Sequence, residues 1–362
     1  MNLTNKDNYR NGASRRSFLK SAAAISLCGV FSGAYRMNGQ AGPQRPEGGS
    51  LRISRAGKFV PVMLTPFRSD LSVDVEALDR LTDFYGKAGA QGLFANCLSS
   101  EMYYLTPAER LTVTRRVMLQ AKGQLPVVST GSFGNSLKEK AEFTKALYDT
   151  GVDAVILITS HFAGREEEDP VLIRNLESFL QLTGSIPLGT YECPSPYKRL
   201  LSPEVYSFLL ASGRFVYHKD TSENIRQIET KLQLSKNSPF KLYNAHTASA
   251  LASLKAGAAG LSPISGNFYP EIIQWICENA RDPEKQENAT WIQSEIALAE
   301  PIISRAYPLS AKYFLQKRGV PLELHCRAPR KTLTGENKEA LEEMHDRFLG
   351  WCGRLGIEPV KA

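Results

Sequence analysis

From Lys58 onward, short apolar runs alternate with longer stretches in which apolar and polar residues follow a helical period. Each apolar run ends in small or polar residues, which is the pattern expected of a buried strand in a parallel sheet. Eight strands are predicted in this way: Val60–Thr65, Gly92–Asn96, Pro126–Thr130, Ala154–Thr159, Ile186–Tyr191, Phe215–Lys219, Lys241–Asn244 and Gly260–Ile264.

Helices are predicted between these strands. Within the first of them, Val75, Leu78, Leu81 and Tyr85 have the spacing of one buried helix face. Several of the predicted helices have a proline in the first turn, where its missing N–H costs no hydrogen bond. The predicted helices include Val75–Ala88, Pro107–Ala121, Leu137–Thr150, Leu172–Leu182, Pro203–Ala211 and Ala248–Ala256.

Eight strands alternating with helices indicate a parallel sheet, and eight such units close most naturally into a (β/α)8 barrel. The alternative is a doubly wound open sheet, which usually carries a glycine-rich phosphate turn after its first strand. Here residues 65–70, Thr-Pro-Phe-Arg-Ser-Asp, occupy that place, and the sequence contains no GxGxxG or GxxxxGK[ST] motif. The pattern therefore favours the barrel and disfavours nucleotide binding.

The chain divides into four predicted segments: a leader at 1–41, a Gly-, Pro- and Arg-rich linker at 42–57, the barrel at 58–282 and a C-terminal helical extension at 283–362. Helical spacing within the extension predicts three helices, which would pack on the barrel or on a neighbouring subunit. They are Glu295–Ser304, Ser310–Lys317 and Lys338–Gly350.

Composition changes this picture little. The chain has 362 residues, 42% hydrophobic and 22% charged, which is ordinary for a soluble globular protein. Its formal net charge is +7, but six of the 44 Lys and Arg and only one of the 37 Asp and Glu lie in residues 1–41. The remainder therefore has 38 basic and 36 acidic residues, and no basic stripe with interleaved aromatics indicates nucleic-acid binding.

The leader carries two adjacent arginines, Arg15 and Arg16, followed by Phe-Leu-Lys and an uncharged run over Ser21–Tyr35. This order resembles a twin-arginine secretion signal, which implies recognition by the twin-arginine export machinery and a periplasmic or otherwise exported protein. The uncharged run is short for a bilayer span, so stable membrane insertion is not expected. The alternative is a disordered basic tail.

The cysteines do not indicate a disulfide framework. Five follow the leader, at Cys97, Cys193, Cys277, Cys326 and Cys352, without a CxxC pair. The residues indicate no metal, nucleotide or flavin site, so no cofactor is predicted.

Lys219 stands at the end of a predicted strand, and Asp220, Thr221 and Ser222 after it are residue types that start helices. A lysine at the carboxyl end of a barrel strand has the placement of a Schiff-base lysine. The alternative for this dipeptide by itself is a surface lysine paired with Asp220.

Several stretches, in this order, resemble the dihydrodipicolinate synthase / N-acetylneuraminate lyase family over roughly Lys58 to Pro329. The family's Gly-Thr-Thr-Gly-Glu turn is matched by Cys-Leu-Ser-Ser-Glu, and its Tyr-Asn-x-Pro segment by Tyr-Glu-Cys-Pro. The matching stretches are Val62–Phe67, Gly92–Glu101, Leu157–Phe162, Thr190–Pro194, Lys219–Asn224, Gly260–Pro270 and Arg327–Pro329.

The resemblance implies a (β/α)8 barrel lyase or aldolase that forms a Schiff base on pyruvate or another 2-oxo acid, such as one derived from a sugar acid, and that assembles as a homo-oligomer. Lys219 matches the Schiff-base lysine, and Tyr191 matches the tyrosine that moves protons beside the imine. The residues expected to contact substrate are Leu98, Ser99, Ser100, His161, His246 and Ser262. For His161 and His246 a structural role stays open.

Three positions depart from the family pattern. Leu98 and Phe162 replace hydroxyl residues of the proton relay, and Pro196 stands where the synthase has a carboxylate-binding arginine. The departures argue against a role in lysine biosynthesis. They also leave a second function open, a 2-oxo-acid binding protein that has lost turnover.

Overall fold

The structure, a computed structural model, describes residues 59–329 and 332–361. Within these residues, seven parallel strands pair in sequence order and curl into a (β/α)8 barrel. The predicted leader at 1–41 and linker at 42–57 lie outside the described residues. The strands are β1 (Leu93–Phe94), β2 (Val127–Thr130), β3 (Ala154–Ile158), β4 (Leu188–Tyr191), β5 (Phe215–Asp220), β6 (Lys241–Asn244) and β7 (Gly260–Leu261).

The eighth barrel position is occupied by residues 59–63, which form isolated bridges in place of the predicted regular strand. Phe59 pairs with Leu261 of β7, and Val62 pairs with Phe94 of β1, so this segment joins the two edges of the sheet. Pro61 has no N–H to donate, which limits the ladder that the segment can form. The barrel is therefore closed, although only seven strands of the described chain form continuous ladders.

Helices cover the outside of the barrel, and the six whose bounds were predicted are confirmed with shifts of a few residues at the ends. In the described barrel residues they are α1 (Val75–Lys87), α2 (Pro107–Ala121), α3 (Leu137–Tyr148), α4 (Asp169–Leu182), α5 (Pro203–Ala211), α6 (Ile225–Leu234), α7 (Ala250–Ala256) and α8 (Pro270–Asn279).

The helix after β5 begins later than the sequence indicated. Asn224 is its N-cap, and the Asn224 side chain accepts a hydrogen bond from Arg226 N at 3.0 Å. Asp220 belongs to the strand instead, and its Oδ1 accepts from Ser222 N at 2.8 Å in the turn that follows. Residues 220–222, whose side chains are typical of helix starts, therefore form the end of the strand and the turn after it.

The extension forms three helices in the described residues, longer than predicted: α9 (Gln286–Ser304), α10 (Leu309–Lys317) and α11 (Gly335–Leu355). They pack on α8 through aromatic contacts, such as Tyr269 against Trp351 at 5.4 Å between ring centroids, and through a buried ion pair between Arg318 and Glu271. None of the described helices has the length and apolar content needed to cross a membrane.

Glycine at position 189 lets β4 and β5 approach closely at the centre of the barrel. A Cβ atom there would collide with the Ile156 side chain and would lie 2.7 Å from the Tyr217 carbonyl oxygen. The register between the two strands shifts at this point, and beyond it Tyr191 pairs directly with Lys219. Because residues paired in register share a face, this pairing brings the two side chains to the same side of the sheet.

Candidate active site

Lys219 projects into the barrel near the carboxyl ends of the strands. Its ammonium nitrogen lies 4.4 Å from the ring centroid of Tyr191 and 5.8 Å from that of Phe94. The side chain is buried, and no carboxylate pairs with it among the described residues. Asp220 instead points outward and pairs with Lys231, so the surface ion pair considered for Lys219 does not form.

Burial determines the protonation of this lysine. Removal of the amine from water lowers the pKa of Lys219, and the nearby thiols of Cys97 and Cys193 oppose this only in part. A lowered pKa raises the fraction of the neutral, nucleophilic amine at any given pH.

A cavity of about 540 Å³ opens above Lys219. One wall comes from the strand ends and the turns after them, and includes Leu98, Ser99 and Tyr191. The opposite wall comes from the C-terminal extension, including Glu300, Ser304, Tyr307 and Pro308. The extension therefore completes the cavity and does more than cover the barrel.

Ser99 lines the cavity from a short 3-10 turn at Leu98–Ser100. The turn is held from behind by Ser100, whose Oγ lies 2.6 Å from Met63 O and accepts from Cys97 N at 3.1 Å. The Ser100 hydroxyl is consequently used within the fold, whereas Ser99 faces the cavity. Leu98 gives this wall an apolar patch beside Ser99.

Glu101 directly follows this turn and links it to the C-terminal extension. It adopts a left-handed conformation with φ 56°, and its carboxylate accepts from Lys312 Nζ at 3.1 Å. The same carboxylate accepts from the backbone N–H groups of Arg327 at 2.7 Å and Ala328 at 2.8 Å. With these partners Glu101 is a structural anchor for the far wall of the cavity.

Tyr307 reaches the cavity from the segment between α9 and α10. Its hydroxyl oxygen accepts from Asn267 Nδ2 at 2.6 Å, which leaves the hydroxyl proton directed elsewhere. The Ser99 hydroxyl is its other hydrogen-bonding neighbour, and burial keeps the pKa of Tyr307 above its usual value. Ser99 is thus held by a neutral phenol from the extension.

Tyr191 is a neutral phenol as well. Burial is the main cause that raises its pKa well above the ordinary value, and the Cys193 thiol beside it acts in the same direction. The pKa of Cys193 itself is raised to about 11 by burial, so the thiol is not ionised at neutral pH. The inner end of the cavity therefore holds uncharged hydrogen-bonding groups around the amine.

His161 does not line the cavity. It contacts Tyr103, which does line the cavity, and its Nε2 lies 3.1 Å from the Tyr103 hydroxyl oxygen. Its Nδ1 lies 2.6 Å from the Ser132 carbonyl oxygen. Burial lowers the pKa of His161 to about 4, and the ring is neutral at physiological pH.

His246 lines the outer part of the cavity, with its Nδ1 3.0 Å from Ser249 Oγ. Glu300 is nearby on the cavity wall, and burial raises the pKa of its carboxyl group. Lys198 also lines this part, where Glu223 pairs with it at 2.8 Å. The outer cavity thus has mixed charge.

Neither Ser262 nor Phe162 lines the cavity. The Ser262 hydroxyl donates to Val60 O at 2.8 Å and accepts from Tyr217 at 3.2 Å, which braces the closure of the barrel. Phe162 packs against Phe179 with ring centroids 5.0 Å apart. No hydroxyl is lost from the cavity wall at this position, since the side chain points into the helical layer.

A buried cluster lies on the other side of β4 and β5, directly behind Tyr191 and Lys219. Lys231 of α6 lies 2.5 Å from Glu192 Oε1 and 2.6 Å from Asp220 Oδ2. Glu192 also accepts from the backbone N–H groups of Leu201 at 2.8 Å and Thr221 at 3.0 Å. Through these contacts the cluster fixes the segments that follow both strands.

Glu192, His218 and Asp220 have the donor types of a metal site, with ligand atoms within 4.8 Å of one another. The ammonium of Lys231 already supplies the positive charge between the two carboxylates. The arrangement is that of a structural ion-pair network.

The sequence did not indicate several of the cavity residues, among them the tyrosines Tyr103 and Tyr307. Tyr103 follows the matched turn motif by two positions, at a place with no periodic pattern. Tyr307 lies in the extension, for which no motif was available. Only the proximity of Tyr103 to the Glu101 turn offered a signal in the sequence.

Comparison with known proteins supports one family. Residues 55–347 match the family described as the dihydrodipicolinate synthetase family. A 4-hydroxy-tetrahydrodipicolinate synthase of Ectopseudomonas mendocina is 26% identical over 270 residues, 74% of this chain and 86% of that protein. One from Shewanella sp. (strain ANA-3) is 25% identical over 299 residues, 83% of this chain and 98% of that protein.

Solved structures show the same fold. YagE, a prophage protein of the dihydrodipicolinic acid synthase family from E. coli K12 in complex with pyruvate, matches with a TM-score of 0.73 and 21% identity, over 81% of this chain and 98% of that one. The dihydrodipicolinate synthase of Acinetobacter baumannii complexed with pyruvate matches with a TM-score of 0.72 and 22% identity, over 84% of this chain and 100% of that one.

Proposed function

This chain belongs to the dihydrodipicolinate synthetase family, and from that premise we propose that it is a lyase acting through a Schiff base between Lys219 and pyruvate or another 2-oxo acid. The observation that carries the proposal is the Lys219 amine, buried without a carboxylate partner in the described residues at the base of a cavity. Its lowered pKa supplies the neutral amine that attack on a ketone requires.

In the proposed reaction the amine adds to the ketone carbon, and the ketone oxygen leaves as water after accepting protons. Tyr191 is the proton donor, because its ring lies beside the amine and its raised pKa keeps the hydroxyl protonated. The iminium that results withdraws electrons from the neighbouring carbon. The bond from that carbon to the rest of the substrate can then break, and its electron pair forms the enamine.

The Ser99 turn is the proposed binding site for the substrate carboxylate. Ser99 lines the cavity, and the turn is rigidly held by Ser100 and Glu101. Because Tyr307 is positioned beside the Ser99 hydroxyl, the serine can direct its own proton toward the carboxylate.

The outer cavity favours a hydroxylated substrate, such as a sugar-derived 2-oxo acid, over one with a second carboxylate. Apart from Lys219, the one lysine or arginine of the described cavity wall is Lys198, and Glu223 already pairs with it. Glu300 adds a further acidic group, while His246 and Ser304 offer hydrogen bonds to hydroxyls.

The proposal is tested by release of pyruvate from 2-oxo-3-deoxygluconate, followed with lactate dehydrogenase, with 4-hydroxy-2-oxoglutarate as the dicarboxylate comparison. The expected result is cleavage with a higher kcat/KM for the first compound, and none with Lys219→Ala. If Lys219→Ala retained wild-type cleavage, the proposed function would be wrong.

A second candidate, a 2-oxo-acid binding protein without turnover, is favoured by the apolar Leu98 in the cavity wall, where the family has a hydroxyl. Isothermal titration with pyruvate separates the two functions. Binding without cleavage of either compound, and without exchange of the pyruvate methyl protons in deuterium oxide, would favour the binding protein.

Export is proposed from the sequence of the leader. Arg15 and Arg16 followed by an uncharged run support recognition by the twin-arginine machinery. The amino-terminal sequence of the protein recovered from a periplasmic fraction tests this, with an Arg15→Lys/Arg16→Lys variant as the control. Intact Met1 on cytosolic protein in both cases would contradict export.

A further inference from the structure

The Tyr103 hydroxyl has one proton to donate and lies within hydrogen-bonding distance of two acceptors. Its oxygen lies 2.7 Å from the Ser195 carbonyl oxygen and 3.1 Å from His161 Nε2. A carbonyl oxygen only accepts hydrogen bonds, so its bond with Tyr103 requires the phenol proton. When the proton is directed at one acceptor, the other has no donor from Tyr103.

The tautomer of His161 follows from its other contact. Nδ1 lies 2.6 Å from the Ser132 carbonyl oxygen, which can only accept, so Nδ1 carries the hydrogen. In the neutral ring Nε2 is therefore unprotonated and directed at Tyr103. His161 is placed to receive the proton of Tyr103 without turning its ring.

The surroundings of His161 keep this acceptor unprotonated. Burial is the main cause that lowers its pKa to about 4, Lys140 and Arg110 act in the same direction, and the Ser132 carbonyl opposes them. Tyr103 and Phe133 pack edge-on against the ring at 6.0 and 5.8 Å. No carboxylate pairs with His161 in the part of the chain that the structure describes.

Tyr103 also belongs to the cavity. It lines the wall with Tyr191 and Lys219, and the Cys193 thiol is a hydrogen-bonding neighbour of both Tyr103 and Tyr191. The two phenols thus lie on either side of one thiol. Tyr103 supplies a hydroxyl to a cavity in which Leu98 offers none.

We propose that Tyr103 is a catalytic residue that takes the proton from the substrate hydroxyl during carbon–carbon cleavage, and that His161 is the positioning residue that accepts the Tyr103 proton. The inference rests on the proposed Schiff-base function and adds the second proton-transfer site to it. It assigns to this pair the proton transfer for which Leu98, at the position of a family hydroxyl, offers no group.

In the cleavage direction, the O–H bond on the hydroxyl-bearing carbon breaks as that carbon becomes a carbonyl. Its proton passes to Tyr103 Oη while the Tyr103 proton passes to His161 Nε2. The electron pair of the broken carbon–carbon bond forms the enamine and neutralises the iminium nitrogen. Afterwards His161 returns its proton through Tyr103 to water in the cavity, and the enamine carbon takes one from water.

The test is Tyr103→Phe, which removes the hydroxyl and keeps the ring. We expect kcat for pyruvate release from 2-oxo-3-deoxygluconate and 4-hydroxy-2-oxopentanoate to fall by about 100-fold or more. Trapping of pyruvate by borohydride should stay at the wild-type level, because imine formation does not use Tyr103. Tyr313→Phe is the matched control, since its hydroxyl binds Glu342 at 2.7 Å outside the cavity.

His161→Asn gives the second test, because the asparagine amide can keep the donor to Ser132 O while the Nε2 acceptor is lost. In the wild type, kcat for cleavage should fall as pH drops below about 4, where His161 is already protonated. His161→Asn should have a kcat reduced by about 10-fold or more and no such decrease in acid.

Three results would overturn the relay. The first is cleavage by Tyr103→Phe within about threefold of the Tyr313→Phe rate, and the second is an unchanged acid limb in His161→Asn. The third is a wild-type protein that traps pyruvate yet cleaves neither compound. Failure of the wild type to trap pyruvate is a different result, which contradicts the proposed Schiff base itself.

Discussion

At the scale of single residues, the pairing of Tyr191 with Lys219 places a phenol beside the amine on the same face of the sheet. Burial moves the two pKa values in opposite directions relative to their usual values, because it disfavours the ammonium of one and the phenolate of the other. The phenol therefore stays protonated, and the amine loses its proton at a lower pH than in water. This is the state that attack on a ketone and proton donation to it require.

Replacement of Tyr191 by phenylalanine should slow imine formation and the methyl-proton exchange that passes through the imine, because Tyr191 is the proposed proton donor. We expect Tyr191→Phe to exchange the methyl protons of pyruvate in deuterium oxide more slowly by about 100-fold to 10,000-fold, because the proton donor beside the imine is lost. Proton NMR of pyruvate measures the rate. Exchange at the rate of the Tyr313→Phe control would show that Tyr191 does not carry this proton.

Sequence reasoning found Lys219, Tyr191 and Ser99 because each lies in a motif at a strand end. It did not find Tyr103 or Tyr307, since a tyrosine in a turn or in the extension has no periodicity that marks its direction. It also could not distinguish Ser99 from Ser100. The two hydroxyls differ only in where the 3-10 turn directs them.

At the scale of elements, the network behind β4 and β5 joins these strands to α6. Lys231 lies between Glu192 and Asp220, each of which follows or ends a strand that carries a cavity residue. Alternation along a strand explains this arrangement, because neighbours of inward residues point outward. Such alternation accounts for the outward direction of Glu192 and His218, which follow or precede an inward residue by one position. The partner on α6 was not predicted, because the sequence does not show which helix residue meets the strands.

Lys231→Met tests the importance of the network for stability. Removal of the ammonium leaves two carboxylates buried side by side, so the free energy of unfolding should fall by about 3–5 kcal/mol. Urea denaturation measures the change, and Lys255→Met on the exposed face of α7 is the control, expected to change stability by about 0.5 kcal/mol or less.

Adding Glu192→Gln to Lys231→Met should recover part of the loss, since one of the two uncompensated charges is removed. A Lys231→Met protein as stable as the Lys255→Met control would mean that the network contributes no net stability.

Boundaries were the weaker part of the element predictions. The start of α6 at Ile225 depends on Asn224 as a cap, and three earlier residues, at 220–222, have equally good capping side chains. The structure uses those three in the strand and the turn, which local composition does not reveal.

At the scale of the whole molecule, the C-terminal extension is tied to the barrel by charged contacts around the cavity. Arg327 pairs with Glu109 at 2.6 Å, and the backbone of Arg327 donates to Glu101. The barrel itself was predicted from the alternation of strands and helices. The position of the extension was not, because contacts between segments so distant in sequence leave no local pattern.

The Glu109–Arg327 pair should make stability depend on acid pH. Arg327 is the main cause that lowers the pKa of Glu109 from 4.5 to about 2. The stability that this pair contributes is present above pH 4.5 and is lost as pH falls toward 2, because the unfolded chain takes up the proton first. Since the pair is partly exposed, we expect a contribution of about 1 kcal/mol.

Thermal unfolding of Arg327→Ala between neutral and acid pH measures this contribution. The difference in stability from the wild type should be largest above pH 4.5 and shrink in acid. Arg305→Ala is the control, because its pair with Glu336 is exposed and longer, at 3.5 Å. A constant difference at every pH would show that Arg327 stabilises the protein through contacts other than its pair with Glu109, such as its hydrogen bonds to the carbonyl oxygens of Leu71 and Tyr104.

The central claim, a covalent imine at Lys219, is tested most directly by borohydride reduction in the presence of pyruvate, followed by peptide mass spectrometry. We expect one reduced pyruvate adduct per chain, located on Lys219, and its absence in Lys219→Ala. An adduct on any other lysine, or equal labelling of the Lys219→Ala protein, would contradict the claim.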